Sequence, residues 1–248
     1  QLENIDLVIA TVASHKGDQG FAHSLIRKNL FPTINLIEAS NELNIKKFIV
    51  ISSSTIYPDI NAKLSESMAF YDDPPEVYYA FGWMKRYIEK VCKYFNSISK
   101  TKFILVRTGA LYGKFDSFDL TTNHVVPDLI MRANSKIENF LIWGNGEQTR
   151  DFLYIDDLIY GIQKMIENDN IGPLNIASGI QTSILDLAKC ITKINNYTPN
   201  FIFDNNKSIM IINRVLDISK AVAELNWKPK YALESGLKST IDWYNSIK

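Results

Sequence analysis

Hydroxyl and basic side chains that could do chemistry are concentrated at three points of the 248-residue sequence. Residues 52–55 form a run of hydroxyl side chains directly after an apolar segment, and residues 108–113 follow a second such segment. Lys85 lies between them in the sequence. Hydroxyl groups donate and accept hydrogen bonds and an ammonium group donates three, so together they could hold the oxygen atoms of a polar ligand. Taken singly, each also has a structural interpretation, because serine runs often close turns and surface lysines are usually solvated.

The elements around these groups predict a parallel α/β sheet. Short apolar runs at 6–12, 47–52 and 103–107 are typical of strands covered on both faces. Apolar residues at helical spacing predict helices over 33–44 and 82–97. This alternation favours right-handed crossovers and a doubly wound sheet, which binds ligands at the carboxyl ends of its strands. The hydroxyl run is therefore expected at that edge, with Lys85 in the first turn of the second helix.

The second half of the sequence indicates a smaller lobe rather than an independent domain. Helices are predicted over 126–133, 156–167, 183–194, 219–225 and 233–246, with short strands at 140–143 and 174–177. No internal repeat or flexible linker separates the two halves. We therefore expect residues 1–113, with returning segments near 148–178, to form one domain, and residues 114–248 to form mainly a substrate lobe.

The composition excludes several functional classes. Hydrophobic residues make up 46% and charged residues 22% of the chain, and 27 basic residues balance 27 acidic ones. This balance disfavours nucleic acid as a partner, and no apolar run is long enough for a membrane span. The first residues lack the pattern of a signal peptide. Cys92 and Cys190 cannot form a four-ligand zinc site, so no metal is expected, and both are interpreted as buried thiols in a reducing cytoplasm.

A series of motifs along nearly the whole chain resembles one enzyme family. The motifs are Ile49 through Pro58, Phe81-Gly82-Trp83-Met84-Lys85, Leu111-Tyr112-Gly113, Trp143-Gly144-Asn145-Gly146, residues 150–157, residues 174–178, and Arg214 with Asp217, Ser219 and Lys220. In this order they are similar to the extended short-chain dehydrogenase/reductase family that acts on nucleotide sugars, and most of all to members that use GDP-sugars. The resemblance implies a Rossmann-like doubly wound parallel sheet with a smaller α/β C-terminal lobe.

The resemblance also implies ligands and roles for individual residues. NAD or NADP and a nucleotide diphosphate sugar, with a GDP-sugar favoured, would bind to a homodimer. The implied catalytic residues are Ser53, Thr55, Phe81, Lys85 and His124; the cofactor-binding residues are Thr11, Val12, Ala13, Ile51, Lys85 and Leu111; the substrate-binding residues are Asn123, Val125, Arg132, Trp143, Arg150 and Arg214. Arginine pairs bidentately with phosphate oxygens, and histidine titrates near neutrality. Trp143 is as readily interpreted as a core residue, and His124 as a loop residue without chemistry.

Two departures from the family pattern concern the cofactor and the acid. The family's Gly-x-x-Gly-x-x-Gly turn, which lets the backbone approach a pyrophosphate, is absent from the 248 residues. This predicts a chain that starts after the family's first βαβ unit and binds NAD(P) poorly. The family's Tyr-x-x-x-Lys pair is represented by Phe81 and Lys85, and phenylalanine has no proton to give. Tyr78 and Tyr79 precede Lys85 by seven and six residues, so donation by either is expected to require a shifted loop.

Further departures from the family pattern limit the reactions that the chain is expected to catalyse. Thr55 stands where the 3,5-epimerising members of the family carry a cysteine, and an alcohol ionises far less readily than a thiol. Ser54 and Thr55 also occupy the places of the acidic pair of the 4,6-dehydratases, and Ala110 replaces a substrate-contacting asparagine. Dehydration is therefore disfavoured, and 3,5-epimerisation is weakened.

The leading hypothesis is an NAD(P)-dependent epimerase/reductase that transfers a hydride at C4 of a nucleotide diphosphate sugar, inactive in this chain because of Phe81. The alternative from another class is a catalytically silent nucleotide-sugar-binding module or subunit. An α/β protein without a nucleotide ligand is the third hypothesis. The first two depend on one spatial expectation, that Ser53, Phe81 and Lys85 meet at a single cleft.

Overall fold

The structure is a computed structural model that describes residues 5–12, 25–119, 124–207 and 211–247. Its strands are β1 Leu7–Ala10, β2 Lys47–Ser53, β3 Lys102–Thr108, β4 Ala110–Tyr112, β5 Asn139–Trp143, β6 Thr149–Arg150, β7 Phe152–Tyr154, β8 Leu174–Ile176, β9 Thr182–Ser183 and β10 Asn200–Asp204. Its α-helices are α1 Phe31–Glu42, α2 Tyr79–Ile98, α3 Val125–Asn134, α4 Ile155–Glu167, α5 Ile184–Ile194, α6 Ser219–Leu225 and α7 Leu233–Ser246. A π-helical segment, Ile26–Leu30, leads into α1, and short 3-10 turns cover Ser54–Ile56, Glu66–Phe70 and Glu76–Tyr78.

The central sheet of the described residues has four parallel strands in the order β1-β2-β3-β8. The chain passes from β1 to β2 through α1 and from β2 to β3 through α2. The register pairs Ser53 with Thr108, so β2 and β3 end at the same edge. The other strands form pairs, β4 with β7, β5 with β10 and β6 with β9. The predicted Rossmann-like α/β class with a parallel sheet is confirmed.

Alternating strand residues build a core on each face of the sheet. Phe48 and Phe103 pack on one face with Ile88 of α2. Ile49 and Ile104 belong to the cluster on the other face, which includes residues of α4 and α6. A separate cluster joins α3, α5 and α7 to β5. Because neighbouring residues of one strand point to opposite faces, both faces are covered, as the continuous apolar runs predict.

The structure differs from the sequence prediction at element ends and in the short strands. α2 begins at Tyr79 rather than at residue 82, because the 3-10 turn Glu76–Tyr78 continues directly into it. Lys85 therefore lies in the second turn of α2, which corrects its predicted place in the first. β4, β6, β7, β9 and β10 have two to five residues each and pair with distant segments, so no local pattern reveals them. The proposed domain division stays a prediction.

Within the described ranges, no helix combines the length and the apolar character that crossing a membrane requires.

A buried ion pair fastens α2 to the sheet. The side chains of Glu89 and Arg107 are 3% and 2% exposed, and Arg107 Nη2 donates to Glu89 Oε2 at 2.7 Å. Arg107 Nε at 3.1 Å and the Ser52 hydroxyl at 2.5 Å both donate to Glu89 Oε1. Arg107 also donates to the Tyr57 hydroxyl at 3.1 Å, which donates to Asn175 at 2.6 Å. The network thus links α2, β2, β3 and β8 in the interior.

Glu89→Gln should lower the free energy of unfolding by about 3–5 kcal/mol, because Arg107 would keep a buried charge without a counter-ion. Urea denaturation measures this change. The matched control is Glu167→Gln, which removes an ion pair with Lys164. The Glu167 carboxylate of that pair is largely exposed. It should change the same quantity by less than about 1 kcal/mol. Equal losses in the two variants would contradict a stabilising role for the buried pair.

Candidate functional site

A cleft of about 910 Å³ opens at the carboxyl ends of β1, β2 and β3. Thr11 and Val12 line it after β1, Ser52 and Ser53 line it at the end of β2, and residues 108–111 line it after β3. The C-terminal half contributes lining residues from α3 and β5 and from the segment at 148–152. The cleft therefore lies where parallel α/β sheets bind their ligands.

Ser53, Phe81 and Lys85 all line this cleft, and a close approach of α2 to the turn after β2 brings them together. A Cβ atom on Gly82 would lie 2.6 Å from the Thr55 carbonyl oxygen, so only glycine permits this approach. The Ser53 side chain accepts a hydrogen bond from the Thr55 amide at 3.2 Å, which shapes the same turn. The expected juxtaposition is present, and the catalytic roles of these residues stay predictions.

Lys85 is held in the cleft wall, with only 6% of the residue exposed. Its Nζ donates to the Ile51 carbonyl oxygen at 2.9 Å and lies 5.6 Å from the centroid of the Phe81 ring. Burial lowers the pKa of Lys85 to about 8, and the negative charge of Glu89 opposes that shift. Lys85 is therefore mostly protonated at neutral pH, yet close enough to titration to exchange a proton.

Phe81 has no proton to donate, and a second aromatic residue, Tyr78, also lines the cleft. The turn that ends at Tyr78 continues directly into α2, and proton donation by Tyr78 stays a prediction. Tyr79, in contrast, is exposed, and its hydroxyl reaches Asp73 at 3.5 Å.

Two of the three arginines of interest line the cleft from the C-terminal half, together with Val125. Arg132 pairs with Asp128 on the same helix and donates to a backbone carbonyl at 2.7 Å. Arg150 Nη1 donates to two backbone carbonyl groups, both at 2.8 Å. Fixed in this way, both guanidinium groups stand at the cleft without free rotation of the side chain.

Arg214, the third, does not line the cleft but lies behind its wall and is 4% exposed. Its Nη1 donates to the carbonyl oxygens of Ser54 and Tyr57, both at 3.0 Å. Its Nε and Nη2 are buried and have no hydrogen-bond partner. Burial lowers the pKa of Arg214 to about 10. Thr55 is also outside the lining, and its hydroxyl is buried without a partner.

Trp143 and His124 are placed at the cleft rather than in the core or on a remote loop. Trp143 is 46% exposed, with Lys207 Nζ 5.6 Å from its ring centroid, so the core interpretation is wrong. His124 Nδ1 lies 3.1 Å from Asp116 Oδ1. This hydrogen bond raises the pKa of His124, and partial burial opposes the shift.

The expected cofactor-binding residues lie on the sheet side of the cleft. Thr11, Val12, Ile51 and Leu111 line it with Lys85. Ala13 and Asn123 fall outside the described residues. Thr108, in the segment expected at the end of β3, also lines the cleft. Asp128 and Gln148 are polar residues of the lining that no sequence motif marks.

Comparisons with known proteins identify the family of the chain and its structural relatives. Residues 1–177 match the NAD dependent epimerase/dehydratase family. GDP-L-colitose synthase from Yersinia pseudotuberculosis is 31% identical over 229 residues, which cover 89% of this chain and 74% of that enzyme. A GDP-6-OMe-4-keto-L-xylo-heptose reductase from C. jejuni superimposes with a TM-score of 0.89 at 25% identity, over 98% of this chain and 83% of that one. A GDP-mannoheptose C4 reductase from Campylobacter jejuni, solved with NADP bound, gives 0.83 at 26% identity, over 97% and 82%.

Asp116→Asn should lower the pKa of His124 towards its ordinary value near 6.5, because the charged acceptor is lost. The sequence has 3 histidines, so NMR can follow each ring against pH, with His124→Gln assigning the signal. Because folding raises the pKa of His124, the stabilisation from this pair is present below the unfolded pKa and is lost as pH rises through the folded pKa. Asp242→Asn, which removes an exposed ion pair with Lys238, is the control and should leave the His124 titration unchanged. An unchanged His124 titration in Asp116→Asn would refute the assigned cause.

Proposed function

The chain belongs to the NAD dependent epimerase/dehydratase family, and from this premise we propose that it binds NAD(P) and a nucleotide diphosphate sugar in the cleft. The proposed chemistry is hydride transfer at C4 of the sugar. A GDP-sugar is favoured because the relatives named above are GDP-sugar enzymes, one of them a C4 reductase. The observation that carries the proposal is the convergence of Ser53, Phe81 and Lys85 on one cleft whose far side carries fixed arginines.

The C-terminal half has the groups that a nucleotide diphosphate requires. Arg132 and Arg150 are held at the cleft and can form charge-assisted hydrogen bonds with phosphate oxygens. Arg214 lies behind the wall with two nitrogen atoms, Nε and Nη2, buried without partners, and a diphosphate would have to reach through the wall to accept from them. Trp143 offers an exposed ring for stacking on the base or sugar.

The residues on the sheet side fit the nicotinamide end of NAD(P). Ile51 and Leu111 are partly buried apolar residues that line the cleft together with Lys85, whose ammonium group can donate to ribose hydroxyl groups. When bound, NAD(P) supplies or accepts the hydride. The printed sequence contains no Gly-x-x-Gly-x-x-Gly turn, so we expect these 248 residues alone to hold the pyrophosphate weakly.

Each proposed catalytic residue has a defined task. Ser53 holds the reacting oxygen of the sugar, and Lys85 orients the ribose and favours proton loss from an acid beside it. His124 exchanges protons near the ring carbons. Thr55 offers a buried hydroxyl rather than a thiol, which disfavours 3,5-epimerisation. Phe81 has no proton to donate, and loss of a positioned acid costs about 10²–10⁴ in rate.

A second candidate is a silent module that binds the nucleotide sugar without turnover. The observation that favours it is Phe81 itself, which keeps an aromatic ring at the cleft but removes the acid. The two candidates differ in cofactor binding and in the response to a restored phenol.

We also propose a homodimer through α1 and α2, in the cytoplasm. The outer side of α2 exposes Trp83, Tyr87, Tyr94 and Ile98, an apolar stripe that a second copy could cover. Cys92 is a buried free thiol, which supports a reducing compartment.

Phe81→Tyr should raise the turnover of GDP-sugars by about 10²–10⁴, because the phenol restores a proton donor next to Lys85. Absorbance of the nicotinamide measures turnover, and calorimetry measures sugar and cofactor binding in both proteins. Phe115→Tyr, at a highly exposed ring, is the control and should leave the rate unchanged. Sugar binding without cofactor binding or turnover in Phe81→Tyr would establish the silent module, and the absence of all three would refute the proposed function.

Tyr94→Glu should convert the dimer to a monomer, because the charge would be buried in the proposed interface. Sedimentation velocity measures the mass of each form. Ile159→Glu, at an exposed position on α4, is the matched control and should leave the dimer intact. Loss of association in both variants, or in neither, would contradict an interface on α2.

A further inference from the structure

Tyr78 occupies a position from which a phenol can serve the same cleft as Phe81. It precedes Phe81 by three residues and Lys85 by seven, and both spacings return to the same side of a helix. Its backbone amide donates to the Pro75 carbonyl at 2.8 Å, which closes the turn and fixes the start of α2. Tyr78, Phe81 and Lys85 accordingly line the cleft together.

A buried cation stands behind this phenol. The Arg214 guanidinium carbon lies 5.7 Å from the centroid of the Tyr78 ring. Burial lowers the pKa of Arg214, and electrostatic interaction with Tyr78 and Asp59 opposes that shift while Arg150 adds to it. The fold thus holds a desolvated positive charge whose Nε–H and Nη2–H groups lack acceptors. A phenolate at Tyr78 would offset a charge that is otherwise costly to bury.

We propose that Tyr78, supported by Arg214, is the proton donor for the residual turnover of this chain, an inference that rests on the proposed function. Bound NAD(P)H would supply the hydride to the C4 carbonyl carbon and would be oxidised, and the ketone would be reduced to an alcohol. Tyr78 would supply the proton: its O–H bond would break and the proton would pass to the carbonyl oxygen. The resulting phenolate would stand near Arg214 and regain a proton from water.

The neighbouring groups set the choice of donor. Lys85 is the other proton-bearing group next to Phe81, and one of its three N–H groups is held by the Ile51 carbonyl oxygen at 2.9 Å, which suits it to positioning. Tyr79, one residue along, is exposed, and its hydroxyl reaches Asp73 instead. Of the two phenols at this turn, Tyr78 is therefore the one that lines the cleft.

The test compares Tyr78→Phe in two backgrounds. In the parent chain it should reduce the residual turnover of a 4-keto GDP-sugar at least tenfold. In Phe81→Tyr, which carries its own proton donor, the same substitution should reduce turnover by a factor at least ten times smaller. Tyr79→Phe is the matched control and should leave the residual turnover unchanged. Calorimetry should show that Tyr78→Phe binds the GDP-sugar within about threefold of the parent.

A second readout needs no cofactor. The protein is labelled with 3-fluorotyrosine at its 12 tyrosines, and the Tyr78 and Tyr79 signals are assigned by their loss in the two variants. Addition of the GDP-sugar alone should shift the fluorine signal of Tyr78 and leave that of Tyr79 in place. The inference would be overturned if Tyr78→Phe reduced turnover equally in both backgrounds or did not reduce it in the parent chain. It would also be overturned if the parent chain had no turnover while Phe81→Tyr was active, or if sugar binding left the Tyr78 signal unmoved. Absence of sugar binding in every form would instead refute the proposed function.

Discussion

A single buried carboxylate connects the helix that carries Lys85 to the strands that end at the cleft. Glu89 lies one helical turn after Lys85 and accepts from Arg107 on β3 and from Ser52, the neighbour of Ser53, on β2. In an interior of low polarity such charges must be paired, so the helix has little freedom to slide or rotate without exposing one of them. The network therefore holds the helix that carries Lys85 against the strand that carries Ser53.

The other end of the same helix is set by a steric constraint. Gly82 allows α2 to approach the Thr55 carbonyl oxygen more closely than any side chain would permit. Because the helix is fixed at Gly82 and at Glu89, the side chains between these two residues, and those just before Gly82, point in defined directions. Phe81 and Tyr78 both line the cleft wall, and they differ in whether the ring carries a hydroxyl group.

The charge distribution around the cleft is one-sided. Lys85, Arg132 and Arg150 line it, Arg214 is buried behind its wall, and Asp128 is already paired with Arg132. Burial lowers the pKa of both Lys85 and Arg214, which shows how poorly water solvates these cations. The positive charge of the residues that line the cleft favours an anionic ligand.

The sequence by itself determined the parallel α/β class, the helices of both halves and the set of residues at the strand ends. These features follow from local apolar patterns and from motifs that occur in the order typical of the family. It also determined that position 81 lacks a phenol. Only the tertiary structure decided that α2 starts three residues earlier, that Tyr78 faces the cleft, that Arg214 lies behind its wall, and that strands such as β10 exist. These features depend on contacts between segments far apart in the chain, such as the Glu89–Arg107 pair, and no local pattern of residues encodes the distance between two such segments.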